Sequence, residues 1–133
     1  KKDFIVNYDQ NSNPLNITKS IEIVYGLRNF IGNANKFSEN KIFINIKSDS
    51  DFTEVMIEDD GEGYPKDVLS KIGEPYIKSF KSSIKSKSGL GLGIFIGKTL
   101  LEKNYANILC RNSQTRSGAE VSIKWKNEDL LKL

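Results

Sequence analysis

The stretch 27–37, LRNFIGNANKF, constrains this chain most, because a helix through it carries two faces of incompatible chemistry. Each helical residue turns by about 100°. Asn29, Asn33 and Lys36 therefore fall on one narrow stripe, and Leu27, Ile31 and Ala34 on another. The apolar stripe, continued upstream by Ile21 and Val24, needs a core to cover it. Thr18 or Ser20 can cap the helix, Glu22 suits the positive end of its dipole, and Ser38, Glu39 and Asn40 mark its end. The polar stripe has two readings. Carboxamide oxygens can ligate a hard cation such as Mg²⁺ and an ammonium can meet phosphate, but an isolated stripe of this kind is ordinarily solvated surface. The rest of the chain decides between them.

Around that helix the pattern predicts strands and turns. Residues 4–8 are β-prone, and 9–14 carry the Asp, Asn, Ser and Pro of a loop. Ile42, Ile44 and Ile46 alternate along 41–47, and 52–58 resumes a strand after the turn-prone 48–51, which predicts a hairpin. Pro65 introduces a short helix from 66 to about 72. From 73 to 88 the apolar period disappears into a Ser- and Lys-rich segment expected to be mobile. The glycines of 89–93 then open a buried helix, 94–103, before strands at 106–111 and 119–125 around a turn at 112–118. The tail from 126 to 133 carries no assignable pattern. This order implies one domain over 1–133: an α/β (α+β) two-layer sandwich, its mixed, mainly antiparallel sheet covered by helices on one face.

Composition excludes several functions. At 133 residues, with 38% hydrophobic and 28% charged, the chain is long enough to bury a core. A net charge of +3 is too mild for a nucleic-acid face, and the only local concentration is Lys78, Lys81, Lys85 and Lys87. The single cysteine, Cys110, excludes an internal disulfide and suits a small packed strand residue. No apolar run approaches the ~20 residues that cross a bilayer, and no signal peptide is expected from the residues given. The opening Lys1-Lys2, without an initiator Met, suggests a segment of something longer. With no histidine in the chain, any histidine nucleophile must be supplied from outside it.

Two familiar glycine-rich phosphate motifs fail. A Walker A loop ahead of Lys98 and Thr99 needs glycine where Leu92 stands. A dinucleotide fingerprint starting at Gly89, Gly91 or Gly61 needs glycine where Ile94, Ile96 or Lys66 stands. What remains is D-x-G-x-G at Asp59, Gly61 and Gly63, then G-x-G-x-G at Gly89, Gly91 and Gly93. A carboxylate at a strand end can accept from an exocyclic amine, and adjacent glycines let a flat ring approach the backbone. A helix opened by glycines offers free N–H groups to phosphate. Taken singly, each motif is a turn or a hinge. Their order and separation after Asn29, Asn33 and Lys36 select the ligand reading.

With these residues in place, the chain resembles the ATP-binding catalytic (CA, HATPase_c) domain of a sensor histidine kinase, within the gyrase, Hsp90, histidine kinase and MutL (GHKL) ATPase group, from about residue 4 to 126. Residues 27–38 resemble its N box, 59–63 its G1 box and 89–93 its G2 box. The run GEPY at 73–76 together with GLGLGIFIGKTLLE at 89–102 is similar to kinases of the redox-responsive RegB/PrrB type. The resemblance implies the Bergerat fold, ATP and Mg²⁺ as cofactors, and a role for each matching residue. Asn33 would hold Mg²⁺ with Asn29 assisting, and Lys36 would contact phosphate; these three form the implied catalytic set. Phe37 would lie against adenine and Asp59 would accept from its amino group. Gly61, Gly63, Tyr64, Tyr76, Gly89, Leu90, Gly91, Leu92 and Gly93 complete the implied nucleotide site. Residues 73–88 would be the ATP lid, from which one or two lysines could reach the γ-phosphoryl group.

Two departures from the family pattern stand out, and one contrast with its ATP-hydrolysing relatives. Gly73 and Tyr76 replace the aromatics that commonly bracket the lid proline, and Ala119 follows Gly118 where the family often has Thr. ATP-hydrolysing relatives place a Glu base one helical turn before the metal-binding Asn, where this chain has Asn29. That favours phosphoryl transfer over hydrolysis, with little turnover expected of this piece alone. The resemblance implies transfer of the ATP γ-phosphoryl group to a histidine on a separate dimerisation domain of the same parent protein, with a response regulator downstream. The parent would be a homodimer anchored in the bacterial inner membrane with this domain cytoplasmic, itself touching neither membrane nor nucleic acid. Two alternatives share the motifs: a Ser/Thr protein kinase of the anti-sigma-factor type, and a catalytically silent nucleotide-binding docking module.

Overall fold

A computed structural model describes residues 2–9, 17–18, 20–71 and 90–133 of the chain. Element order is β1 (Asp3–Tyr8), α1 (Ile21–Phe37), β2 (Lys41–Ser48), β3 (Phe52–Asp59), α2 (Lys66–Lys71), α3 (Leu90–Lys103), β4 (Asn107–Asn112), β5 (Ala119–Lys126) and α4 (Asn127–Leu130). The five strands form one mixed sheet in the order β1-β2-β3-β5-β4. β1 runs parallel to β2, and the other pairings are antiparallel. β5 thus slots between β3 and β4, carrying the end of one hairpin beside the end of the other.

The hairpin alternation holds as expected. Ile42, Ile44, Ile57, Val121 and Ile123 are buried on the side of the sheet that meets the helices. In register, Ile44 faces Ile57, which in turn faces Val121. Helices α1 and α3 pack against each other over this surface. The result is the two-layer arrangement of strands and helices that the element order implies.

Helix α1 differs from its expected orientation. Ser20 does cap it, its hydroxyl accepting from the Ile23 N–H at 3.3 Å. Ile21, expected in the core, is 68% exposed, while Phe30 is only 2% exposed. The buried line is Ile23, Gly26, Phe30 and Ala34: it keeps Ala34 of the expected apolar stripe and otherwise runs between the two stripes drawn from the sequence. The physical reason is that α1 meets two neighbours, the sheet and α3. The centre of its covered face lies over Phe30, and both stripes become flanks. Asn33 then stands on the flank nearer α3.

At the far end, Glu22 receives hydrogen bonds from Lys103 at 2.9 Å and the Asn104 amide at 3.2 Å, tying the start of α1 to the end of α3. These donors, first Lys103 and then Asn104, hold the Glu22 carboxyl below its ordinary pKa. The tail that carried no pattern is ordered: α4 buries Asn127 and Leu130. Asn127 accepts from the Thr53 hydroxyl at 2.7 Å and donates to the Asp49 carbonyl at 2.8 Å. Among the described residues no helix is long and apolar enough to cross a membrane.

Candidate functional site

A cleft of about 170 Å³ opens between α1 and the ends of β3 and β5. The helix contributes Asn33, Lys36 and Phe37, the end of β3 and its loop contribute Asp59, Glu62, Gly63 and Tyr64, and β5 contributes Ala119 and Val121. Residues 26 positions apart in the chain, Asn33 and Asp59, thus face one space.

Asp59 is the last residue of β3 and is only 4% exposed. Its Oδ1 accepts from the Gly61 N–H at 2.9 Å and the Ala119 N–H at 3.3 Å. Among the described residues no donor reaches Oδ2. Burial raises the pKa of this carboxyl, an effect that the two N–H groups oppose without cancelling. A buried carboxylate with one oxygen held and the other open to a cleft is built to accept a hydrogen bond from a ligand.

The backbone is packed tightly around it. A Cβ on Gly118 would lie 2.1 Å from the Asp59 carbonyl oxygen and 2.2 Å from Oδ1. A Cβ on Gly61 would lie 2.1 Å from the Phe37 carbonyl oxygen. Both positions therefore admit only glycine. Gly63 has φ +85°, a left-handed conformation that side chains rarely adopt. The next carboxylate, Asp60, turns away from the cleft and binds the start of β2. Its Oδ1 accepts from Glu39, Asn40 and Lys41 N–H groups at 2.9, 3.0 and 3.1 Å. Burial works against its charge, but the N–H groups of Asn40, Lys41 and Glu39 prevail and lower its pKa.

At the other end of the cleft stands Asn33. Its Nδ2 is buried without a hydrogen-bond partner. The first turn of α3 abuts it so closely that a Cβ on Gly93 would sit 2.8 Å from Asn33 Oδ1. Leu90, Gly91 and Gly93 belong to that first turn, whose backbone N–H groups have no acceptor within the helix. Lys36 places its Nζ 5.4 Å from the centre of the Phe37 ring. Asn29 is placed differently: its amide donates to the Tyr25 carbonyl at 2.8 Å, and it is not among the residues lining the cleft. Gly89, Tyr76 and the expected lid, 73–88, with its four lysines, lie outside the described residues. Among the described residues no three His, Cys, Asp or Glu side chains gather to hold a metal.

Tyr64, at the mouth of the G1 loop, is buried and lines the cleft. Burial raises the pKa of its phenol well above the ordinary value, and the neighbouring Cys110 thiol adds to the rise. Cys110 is in turn pushed up to about 11 by its own burial. Three residues that shape this region were not among the site residues read from the sequence: Asp60, Asn112, whose carboxamide bonds the Tyr64 backbone, and Gly118. Each acts through a neighbour in space. The one available cue was for Gly118, a glycine immediately before a strand at a turn.

Residues 18–129 match the family described as "Histidine kinase-, DNA gyrase B-, and HSP90-like ATPase". Among curated proteins, the chain is 34% identical over 131 residues to the sensor histidine kinase RegB of Cereibacter sphaeroides, covering 86% of this chain. It is 32% identical over 93 residues to a putative NtrY-like sensor histidine kinase of Rickettsia felis, covering 70% of this chain. The chain spans 28% of the length of the first relative and 14% of the second. Among solved structures, it superposes on the catalytic domain of histidine kinase ThkA with a TM-score of 0.72 at 21% identity, covering 96% of this chain and 81% of that one. The mycobacterial sensor histidine kinase MprB gives 0.69 at 21% identity, covering 92% and 80%. These structures share the fold.

Proposed function

This chain belongs to the histidine kinase-, DNA gyrase B- and HSP90-like ATPase family, and from that premise we propose that it is the ATP-binding catalytic domain of a two-component sensor histidine kinase. The observation that carries the proposal is the convergence of Asp59, Asn33 and Lys36 on one cleft beside the first turn of α3. Phe37 and Tyr64 would lie against adenine, and Asp59 Oδ2 would accept from its exocyclic amine. Asn33, Lys36 and the N–H groups opening α3, a helix end suited to anions, would hold the phosphates. The lid lysines remain candidates for the γ-phosphate, with no single one selected.

Mg²⁺ fits this arrangement. A 180° turn of the Asn33 carboxamide exchanges its two polar atoms and gives the buried orphan position an oxygen. Mg²⁺ takes few protein oxygens and leaves the remainder of its shell to substrate phosphates and water, so a single amide oxygen would serve here. Bound there, it would neutralise charge between phosphate oxygens. The chain's own residues do the rest: Asp59 orients the base, the glycines exclude side chains from the phosphate path, and Lys36 offsets anionic charge. Phosphoryl transfer demands such positioning more than covalent help. No glutamate stands at position 29 to activate water, and the chain has no histidine. The acceptor histidine therefore comes from a separate dimerisation domain of the parent protein, with a response regulator receiving the phosphoryl group afterwards. In this reading 1–133 is one domain of a cytoplasmic kinase region, and its parent is a membrane-anchored homodimer.

The test is to incubate the full-length protein with ATP labelled at the γ-phosphate and examine the labelled protein. A phosphohistidine, stable in base and lost in acid, supports the proposal. An acid-stable phosphoester points to the Ser/Thr kinase alternative, and no label at all, with ATP bound, to the docking module.

A further inference from the structure

Strand β4 contributes no residue to the cleft, yet it grips the wall of it. The Asn112 carboxamide takes the Tyr64 N–H on its Oδ1 at 2.6 Å and donates from Nδ2 to the Tyr64 carbonyl at 3.2 Å. The same oxygen lies where a Cβ on Gly63 would come within 2.6 Å, so the left-handed glycine is shaped around this side chain. Two residues earlier on β4, Cys110 neighbours the Tyr64 phenol. The next residue along, Ser113, donates its N–H to the Gly118 carbonyl at 2.7 Å, and Gly118 abuts Asp59. One hairpin end thus holds both Tyr64 and the backbone around Asp59.

We propose that Asn112 is a positioning residue of the nucleotide site, clamping Gly63 and Tyr64 so that the Tyr64 ring forms a fixed wall at the base end of the cleft. The inference rests on the nucleotide-binding reading above. A carboxamide suits this task because it supplies an acceptor and a donor side by side, one for the N–H and one for the carbonyl of the same residue. Isolated β-strand ends ordinarily fray, and an unclamped loop containing a left-handed glycine would sample several conformations. The wall would then have to be ordered by the ligand, and that ordering cost would be subtracted from affinity.

Titrate AMP, ADP and a non-hydrolysable ATP analogue into wild type, Asn112→Ala and Asn112→Asp, all well below their melting temperatures. In parallel, follow amide hydrogen exchange over 61–65 without nucleotide. Loss of both hydrogen bonds predicts that Asn112→Ala binds all three ligands roughly tenfold more weakly and by the same factor, with the effect of Mg²⁺ unchanged. Asn112→Asp, which keeps the acceptor for the Tyr64 N–H, should recover part of the loss. Exchange over 61–65 should quicken in Asn112→Ala while β2 and β3 keep their protection. Asn112→Ala binding AMP as wild type does, or weakened only for the ATP analogue with Mg²⁺, overturns the inference. Wild type binding none of the three overturns the nucleotide reading beneath it, a distinct result.

Discussion

Asp59→Asn should separate binding from folding, moving the two in opposite directions. The substitution keeps an oxygen for the Gly61 and Ala119 N–H groups, so the local backbone retains its partners. It replaces the free oxygen facing the cleft with an NH₂ group. An adenine amine then meets a donor instead of an acceptor. The lost bond to a charged acceptor is worth about 1.5–3 kcal/mol, and two buried donors left facing one another add about 1–3 kcal/mol. Together these weaken ADP binding by roughly 10² to 10⁴. Stability behaves otherwise, because burial raises the Asp59 pKa: the folded protein holds this carboxylate at a cost, which a neutral amide removes. The nucleotide-free variant should melt at or above wild type at neutral pH. Calorimetric titration with ADP and thermal melts of both proteins check the pair of outcomes. Binding within about threefold of wild type would refute the assignment of Asp59 to the base, since it is far below the loss expected of a broken hydrogen bond. A large fall in melting temperature would refute the claim that the carboxylate is held at a cost.

The same carboxyl sets a pH dependence: its folded pKa lies above its unfolded one, so nucleotide affinity should fall as pH drops through the raised value. Stability without nucleotide runs the other way, declining as pH rises from the unfolded pKa through the folded one. Gly118→Ala would place a methyl carbon 2.1 Å from the Asp59 carbonyl oxygen, where ~3.5 Å is needed. It should cost about 1–3 kcal/mol of stability and at least tenfold in nucleotide affinity, read from denaturant melts and titration. Asn33→Ala deletes a buried amide nitrogen that has no hydrogen-bond partner, so the fold should survive in thermal melts while the tightening of ATP binding by Mg²⁺ disappears. Cys110, with its thiol pushed up to about 11, should react with a thiol reagent roughly 10²-fold more slowly in the native protein than in urea.

What the sequence disclosed and what it withheld divide along a physical line. The hairpins were legible because alternation such as Ile42, Ile44 and Ile46 encodes a two-sided sheet locally. Asp59, Asn33 and the glycines were legible as candidates because spacing and residue type travel together. The rotation of α1 was not, since periodicity locates an apolar stripe but cannot weigh two neighbours at once. That is why Ile21 is exposed and Phe30 is the core residue. Asn112, Asp60 and Gly118 were hidden for a related reason. Each one's partner is distant in sequence: Tyr64 for Asn112, Asn40 for Asp60 and Asp59 for Gly118. The α4 turn escaped notice because four residues carry too little period to register, and its order comes from Asn127 bonding to Thr53 and Asp49.

The central claim is that this cleft binds ATP with Mg²⁺ at Asn33, and calorimetric titration of a non-hydrolysable ATP analogue into the chain, with and without Mg²⁺, tests it most directly. The account predicts one site per chain, at least tenfold tighter when Mg²⁺ is present. Absence of binding in both conditions, or affinity indifferent to Mg²⁺, would contradict it.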